Sequence, residues 1–313
     1  MTDETFAPRR DTPVFGRLAI IGIGLIGSSI AHAARALNLA GQIVLHDRDP
    51  DVRARARALG LGHEVAETAS AATEGADHII LCVPVGVCGA VAAEIAGALK
   101  PGAILSDVGS VKGSVVEQVL PHLPEGVHFV PAHPVAGTEN SGPDAGFSSL
   151  FAKRWCILTP PPGTDETAIA QTREFWEGMG AIVELMTPQH HDLVLAVTSH
   201  LPHLIAYNIV GTAEDLATVT ASEVIKFSAG GFRDFTRIAA SDPTMWRDVF
   251  LHNKEAVLEM LGRFSEDLSV LTRAIRFGDG ETLHRHFTRT RAIRRGIVAM
   301  GQEKPETEKL KKD

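Results

Sequence analysis

The sequence has few cysteines and no block of basic residues before its last few positions. Its 3 cysteines, Cys82, Cys88 and Cys156, form neither a CxxC motif nor a paired framework, so no disulfide scaffold is indicated and a reducing, cytoplasmic location is expected. The 30 Lys and Arg against 38 Asp and Glu give a net charge of -8, which argues against nucleic acid or an anionic membrane as a partner. These absences favour a small-molecule ligand.

Long hydrophobic runs are also lacking. The most apolar segment, residues 18–37, is interrupted by glycines and serines and contains His32 and Arg35, so it predicts a strand followed by a helix and not a membrane span. Residues 1–16 are polar and have no apolar stretch of the signal-peptide kind, so we expect a disordered tail there. Residues 302–313, rich in Lys and Glu, are expected to form a solvated tail.

The length of 313 residues suits two domains, each large enough to bury its own core. Strand-type apolar runs alternate with helical patterns up to residue 186, and only helical patterns follow Pro188. We therefore predict an α/β N-terminal Rossmann-type doubly wound sheet over 17–187 and an all-α C-terminal dimerisation domain over 188–301. The runs at 155–159 and 181–186 are expected to complete the N-terminal sheet.

A GxGxxG motif stands directly between the first predicted strand and the first predicted helix. Its glycines allow a tight turn, close approach of a pyrophosphate and close packing of helix on strand, while the helix N-terminus offers unpaired N–H groups. This setting makes the motif much more specific for a dinucleotide than the motif alone would be. The residues predicted to bind the dinucleotide here are Gly22, Gly24, Leu25, Ile26 and Gly27.

The second predicted strand ends at Asp47, about 20 residues beyond Gly27, where an acid can accept hydrogen bonds from the adenosine ribose diol. A carboxylate would repel a 2′-phosphate, so NAD is the predicted cofactor and NADP is less favoured. Arg48 leaves some room for NADP. The alternative explanation of Asp47 is an ordinary turn residue at the end of a strand.

Two polar loops are predicted at the carboxyl edge of the sheet, where ligands bind in open α/β folds. The loop at 107–113 carries Ser110, which could face both a nicotinamide and a substrate hydroxyl, although a helix-capping role is the alternative. The loop at 133–142 begins with His133 after an apolar run and contains Glu139. A histidine here suits proton transfer, whereas on its own the loop could be a plain strand-to-helix connection.

Polar residues also interrupt the helical half. His200 and His203 lie three apart on one helix face, but without further ligands nearby we predict no metal and favour hydrogen bonds to a polar ligand; residues 190–192 keep the metal alternative open. A glycine pair followed by arginines predicts an anion site, because the planar guanidinium binds carboxylates in a bidentate manner. That site would comprise Arg233, Asp234, Arg237 and an apolar wall at Trp246, with an Arg233–Asp234 surface pair as the alternative.

The helix expected at 256–271 carries an apolar stripe broad enough to pack against several neighbours. A small helical domain with so much apolar surface often completes its core in a dimer. We therefore predict a homodimer formed through the helical half.

Five motifs together resemble the prephenate/arogenate (cyclohexadienyl) dehydrogenase family of tyrosine biosynthesis. They are GxGxxG, Asp-Val-Gly-Ser-Val-Lys-Gly, His-Pro-Val-Ala-Gly-Thr-Glu-Asn-Ser-Gly, Ser-His-Leu-Pro-His and Asp-Phe-Thr-Arg-Ile-Ala, and the resemblance spans about residues 18–300. It implies an NAD-dependent oxidoreductase that decarboxylates prephenate to 4-hydroxyphenylpyruvate, arogenate to tyrosine, or both.

The resemblance also assigns roles to single residues. His133 matches the family's catalytic histidine, and Ser110 matches the serine that bonds the substrate hydroxyl near the nicotinamide. Arg237 matches the arginine that holds the ring carboxylate, and His203 matches a contact to the substrate side chain. The remaining matches are two acids that organise or gate the pocket and a wall residue, namely Glu139, Asp234 and Trp246.

Two other functions remain open at this point. A β-hydroxyacid dehydrogenase shares the layout of a Rossmann sheet followed by helices, but it would require a catalytic lysine where this chain has His200 and His203. A non-catalytic nicotinamide-binding dimer would bind the cofactor without turnover.

Overall fold

The computed structural model describes residues 8–138, 140–216 and 230–299. Strands and helices alternate first, in the order β1 (Phe15–Ile21), α1 (Leu25–Ala36), β2 (Ala40–His46), α2 (Pro50–Leu59), β3 (Glu64–Val65), α3 (Ala69–Thr73), β4 (His78–Leu81), α4 (Cys88–Ile95), β5 (Ile104–Asp107), α5 (Gly113–Val119) and β6 (His128–Phe129). A shorter αβ segment follows, with β7 (Ala132–Pro134), β8 (Trp155–Leu158), α6 (Glu166–Gly178) and β9 (Ile182–Leu185). Among the described residues, six further α-helices follow: α7 (Pro188–Leu195), α8 (Leu201–Leu216), α9 (Gly230–Thr236), α10 (Pro243–His252), α11 (Lys254–Phe277) and α12 (Gly280–Ala299).

The first six strands form one parallel sheet in the order β3-β2-β1-β4-β5-β6. Successive residues of β1 point to opposite faces, so Leu18 and Ile20 enter one hydrophobic core while Ala19 and Ile21 enter the other. Both cores are closed by helices, which explains why these strands are apolar on both faces. The predicted doubly wound sheet and helical C-terminal part are confirmed.

The last three strands do not complete that sheet, and here the sequence-based prediction is wrong. β8 pairs antiparallel with β7 and parallel with β9, which gives a separate three-stranded sheet. Pro131 lies between β6 and β7 and has no backbone N–H for the parallel ladder, whereas its carbonyl accepts a hydrogen bond from the N–H of Thr159 at 2.9 Å. The chain therefore leaves the first sheet at this proline and begins the second.

The helices α7 and α8 are joined by a π-helical segment, Ala196–His200, into one continuous run. By length and composition alone, this run is the one described helix that could cross a membrane, over Pro188–Asp215. It carries the buried polar residues His191, Asp192 and His200, and α10 adds Trp246 and Val249 to a core of the parallel sheet.

The described chain separates into two compact units after Val257. The sheets and the helices through α10 belong to the first unit, and most of α11 and all of α12 belong to the second. On α11 two residues of the predicted apolar stripe are exposed in the single chain, Leu258 at 55% and Leu268 at 49%, whereas Val257 is buried. The domain limits 17–187 and 188–301 stay a prediction.

Candidate active site

The glycine loop between β1 and α1 has the geometry of a dinucleotide site. Gly22 has a φ of +101°, and a Cβ added there would lie 2.3 Å from the carbonyl oxygen of Cys82. A Cβ on Gly27 would lie 2.0 Å from the carbonyl oxygen of Gly22, so helix and turn meet without room for a side chain. At Gly24 nothing lies within 4 Å of the added Cβ, so the loop is open where a pyrophosphate would approach.

The carboxylate of Asp47 is fixed beside this loop at the end of β2. It accepts the N–H of Ile23 at 2.8 Å through Oδ2 and the N–H of Asp49 at 3.0 Å through Oδ1. Asp47 is half-buried, and Arg48 next to it is exposed. Leu25 and Ile26 begin α1 and pack partly against the core. These residues fit a dinucleotide, with an acid held where the adenosine ribose would lie.

His133 lies on β7, 7% exposed, close to the carboxyl ends of the parallel strands. Its Nδ1 is 2.8 Å from Nε2 of His191 on α7, and the two rings meet edge to face. The Nδ1 of His191 is in turn 2.8 Å from Oδ1 of Asp192. His133, His191 and Asp192 therefore form a buried hydrogen-bonded array. The array begins at Nδ1 of His133 and leaves its other ring nitrogen, Nε2, toward the site.

Asp192 is held by the start of α5. Its Oδ1 accepts the N–H of Lys112 and its Oδ2 accepts the N–H of Gly113, both at 2.8 Å. Its backbone carbonyl accepts Nδ2 of Asn253 at 2.9 Å, and the same amide is 3.0 Å from Nδ1 of His200. Asp192 thus joins the loop after β5, helix α7 and the end of α10 at one point.

A fully buried ion pair lies beneath this array. The Nζ of Lys112 donates to Oδ2 of Asp107 at 2.5 Å and to the carbonyl oxygen of Ala132 at 2.8 Å. Asp107 Oδ2 also accepts the N–H of Gly109 at 2.7 Å. Lys112 therefore ties the loop that carries Ser110 to the strand that carries His133.

Burial lowers the pKa of every histidine at this edge. The pKa of His133 lies well below its ordinary value because the ring is buried, and His191, Lys112 and His200 lower it further. Burial also lowers the pKa of His191, against the raising effect of its hydrogen bond to Asp192. Burial lowers the pKa of His200 to about 4. All three rings are therefore neutral at physiological pH, as a proton acceptor must be.

The predicted substrate residues differ in exposure: Trp246 is buried, His203 is half-buried and Arg237 is exposed. His203 stacks on Trp246 with ring centroids 3.7 Å apart, and its Nδ1 donates to the carbonyl of Ser199 at 2.8 Å. Trp246 also meets the ring of His200 edge to face. Burial lowers the pKa of His203, and the charge of Arg237 lowers it further, which places that guanidinium within electrostatic range.

Other predicted residues are less constrained. Arg237 is exposed and begins a short 3-10 helix, Arg237–Ala240. Asp234 is exposed on α9, where Arg233 lies 3.4 Å from it, so the alternative of a surface pair holds for Arg233. Ser110 is half-buried in the loop after β5. Glu139 lies outside the described residues.

The glycine pair, the arginines, Asp234 and Trp246 were expected to form an anion site. Gly230 and Gly231 lie within the helix Gly230–Thr236, and the anion site stays a prediction. Within the part of the chain that the structure describes, no group of three or more His, Cys, Asp or Glu side chains could hold a metal ion.

Five residues of the site were not predicted to act there from sequence, namely Asp107, Lys112, His191, Asp192 and Asn253. The adjacent His191 and Asp192 had been considered only as metal ligands. Their neighbour His190 is exposed, whereas His191 is buried. The one sequence signal that could have predicted a hydrogen-bonded array here was a histidine followed by an aspartate near the start of a helix. Asn253 gave no local signal, because its partners lie 53 and 61 residues away.

The chain matches two models of known protein families. Residues 30–185 match the family model described as prephenate dehydrogenase, nucleotide-binding domain, and residues 187–289 match prephenate dehydrogenase, dimerization domain. The chain belongs to the prephenate dehydrogenase family. Members of this family are oxidoreductases, and the family resemblance of the motifs is confirmed.

Relatives and solved structures within the family are similar over nearly their whole length. The cyclohexadienyl dehydrogenase of Zymomonas mobilis is 46% identical over 90% of this chain and 96% of its own. A prephenate dehydrogenase structure from A. aeolicus, in complex with hydroxyphenyl propionate and NAD+, is 34% identical with a TM-score of 0.84, covering 90% of this chain and 98% of that one. The Synechocystis arogenate dehydrogenase is 27% identical with a TM-score of 0.75, covering 90% and 99%.

Proposed function

We propose that this chain is an NAD-dependent dehydrogenase of tyrosine biosynthesis that oxidatively decarboxylates prephenate to 4-hydroxyphenylpyruvate, arogenate to tyrosine, or both. The observation that carries the proposal is the position of buried His133 near the carboxyl edge of a dinucleotide-binding sheet, beside the loop of Ser110, and burial lowers the pKa of this histidine. The similarity to cyclohexadienyl, prephenate and arogenate dehydrogenases supports the substrate class.

The cofactor that fits best is NAD. The glycine loop has an open side at Gly24, and the carboxylate of Asp47 is held where it can accept hydrogen bonds from a free ribose diol. A 2′-phosphate would be repelled at this position. Bound NAD⁺ would supply the oxidant, which accepts the hydride from the ring carbon that bears the hydroxyl.

His133 would accept the proton in this reaction. Its Nε2 has no hydrogen-bond partner among the described residues and would take the hydroxyl proton as the ring is oxidised. Ser110 would align the same hydroxyl. Loss of the ring carboxylate as CO₂ then makes the ring aromatic, which drives the reaction forward.

The residues Arg237, His203 and Trp246 would bind the rest of the substrate. Arg237 would bind the ring carboxylate through its planar fork, and the stacked His203 and Trp246 would form the wall and the contact to the side chain. Glu139 and Asp234 are proposed to organise or gate the pocket. Prephenate and arogenate differ only in a keto or amino group of the side chain, so discrimination would depend on these residues.

We further propose a cytoplasmic homodimer formed through the helical half. The exposed apolar residues of α11 and the match of residues 187–289 to a dimerization domain support this assembly. No nucleic acid or membrane partner is proposed.

One assay tests the proposed function. Purified protein is incubated with NAD⁺ and either prephenate or arogenate, NADH formation is followed by absorbance, and the product is identified by mass. We expect turnover with at least one of them and 4-hydroxyphenylpyruvate or tyrosine as the product. The absence of NADH with both substrates would contradict the proposal and would favour a binding protein without turnover. Turnover of simple β-hydroxyacids instead would favour the other dehydrogenase class.

A further inference from the structure

The hydrogen bonds around Asp192 fix which nitrogens of the array carry protons. Both carboxylate oxygens of Asp192 accept backbone N–H groups, so the carboxyl group is held as an acceptor. Its Oδ1 must therefore receive a proton from Nδ1 of His191 at 2.8 Å. A neutral imidazole carries one proton, so Nε2 of His191 is then a bare acceptor.

The position of the proton on His133 is fixed in the same way. Nδ1 of His133 is 2.8 Å from the bare Nε2 of His191, so it must be the donor in that hydrogen bond. The single proton of neutral His133 therefore lies on Nδ1, and the lone pair lies on Nε2. No described residue forms a hydrogen bond with that nitrogen.

We infer that His191 and Asp192 are positioning residues that fix the tautomer of His133, so that Nε2 is its basic nitrogen. This inference deepens the proposed function, on which the kinetic part of it rests. Neither residue touches the substrate in this account; both act through the orientation and protonation of the base.

The array also stabilises the base after it has reacted. When Nε2 of His133 takes the substrate proton, the ring becomes a cation, and its Nδ1–H stays donated to neutral His191 with the carboxylate of Asp192 beyond it. The groups whose charge acts on His133 are His191, Lys112 and His200, and all three lower its pKa, whereas Asp192 and Asp107 raise the pKa of His191. The lowering by His191 belongs to its charged form. While His191 is neutral, its bare Nε2 accepts the Nδ1–H of the His133 cation, so removal of this acceptor should lower the basicity of His133.

The tautomer itself can be measured without substrate. Long-range ¹H–¹⁵N spectra of histidine-labelled protein distinguish protonated from bare ring nitrogens, and His133→Asn identifies the signals of this ring. We expect Nδ1 protonated and Nε2 bare in the unaltered protein at neutral pH. Protonation of Nε2 in the unaltered protein would overturn the inference, whatever the enzyme proves to catalyse.

A matched set of variants tests the consequence for turnover. His191→Phe keeps a ring but removes the acceptor, and we expect kcat to fall about ten- to a hundredfold, with KM for NAD⁺ unchanged and the acid limb of kcat displaced to lower pH. His191→Gln keeps an acceptor toward His133 and a donor toward Asp192, and should recover most of the lost kcat. His190→Phe is the control, because His190 is the exposed neighbour on the same helix, and its kcat should stay near native.

The outcomes separate the two proposals. Native kcat and an unchanged tautomer in folded His191→Phe would overturn the positioning role. If His191→Phe does not fold, a loss of kcat of about ten- to a hundredfold in soluble His191→Gln, with the acid limb unchanged, would do the same. The expected tautomer in a protein that does not oxidise prephenate or arogenate would support the positioning role and contradict only the proposed function.

Discussion

The buried ion pair between Lys112 and Asp107 gives a stability prediction. Both side chains are 0% exposed, and Lys112→Met removes the cation while it keeps most of the apolar stem. The carboxylate of Asp107 would then retain only the N–H of Gly109, since its Oδ1 has no partner among the described residues. Breaking a buried pair by removing one partner costs about 3–5 kcal/mol, and we expect the free energy of unfolding to fall by that amount.

The loss should depend on pH in a definite direction. Burial already raises the pKa of Asp107 in the folded protein, and loss of the lysine would raise it further. An acid whose folded pKa is raised becomes less costly to bury when it is protonated, so the destabilisation should be larger at pH ~8 than at pH ~5.5. Urea unfolding followed by tryptophan fluorescence at the two pH values measures both effects.

A surface pair provides the control. The Nζ of Lys100 lies 2.5 Å from Asp77, but the two side chains are 40% and 35% exposed, so Lys100→Met should cost no more than about 1 kcal/mol. The double variant Asp107→Asn/Lys112→Met should be more stable than Lys112→Met alone. A cost of Lys112→Met no greater than that of Lys100→Met would refute the reasoning.

Three further predictions concern the site and the assembly. Arg237→Gln should lower kcat/KM for prephenate about ten- to a hundredfold, since a charged hydrogen bond contributes roughly 1.5–3 kcal/mol, and should leave KM for NAD⁺ unchanged; native constants would remove Arg237 from the site. Initial rates should give a higher kcat/KM with NAD⁺ than with NADP⁺, and the reverse would mean that Arg48 outweighs Asp47. Light scattering at micromolar concentration should give the mass of a dimer, and Leu268→Asp on the exposed stripe should shift it toward the monomer; a monomeric unaltered protein would contradict the assembly.

The fold could be predicted from sequence where the signals are local. The apolar strand β1 ends before Gly22 and the helix α1 begins at Leu25, and each fits its own local pattern. The second sheet could not be predicted in this way, because β8 has an apolar composition similar to that of the first strands. The chain leaves the first sheet at Pro131, and β8 then pairs with the antiparallel strand β7.

In the candidate site, too, some features could be predicted from the sequence and others could not. His133 and Ser110 could be predicted because each follows a strand at the carboxyl edge, where ligands bind. The partners of His133 could not, because Nδ1 contacts a ring 58 residues away and Asp192 contacts the loop of Lys112 80 residues away. Such contacts depend on the packing of α7 and α10 against the sheet, and the spacing of apolar residues in the sequence does not indicate that packing.

The role of His133 is tested most directly by the pH dependence of kcat/KM in the unaltered enzyme and in His133→Asn. Because burial and the neighbouring groups hold the pKa of His133 below its ordinary value, activity should fall as the pH drops through a pKa below ~6.5. His133→Asn keeps a hydrogen-bonding amide but offers no basic nitrogen, so it should lose roughly 10²–10⁴ in kcat and lose this acid limb. Near-native turnover in His133→Asn, or the same acid limb, would contradict the account and make His203 the next candidate for the base.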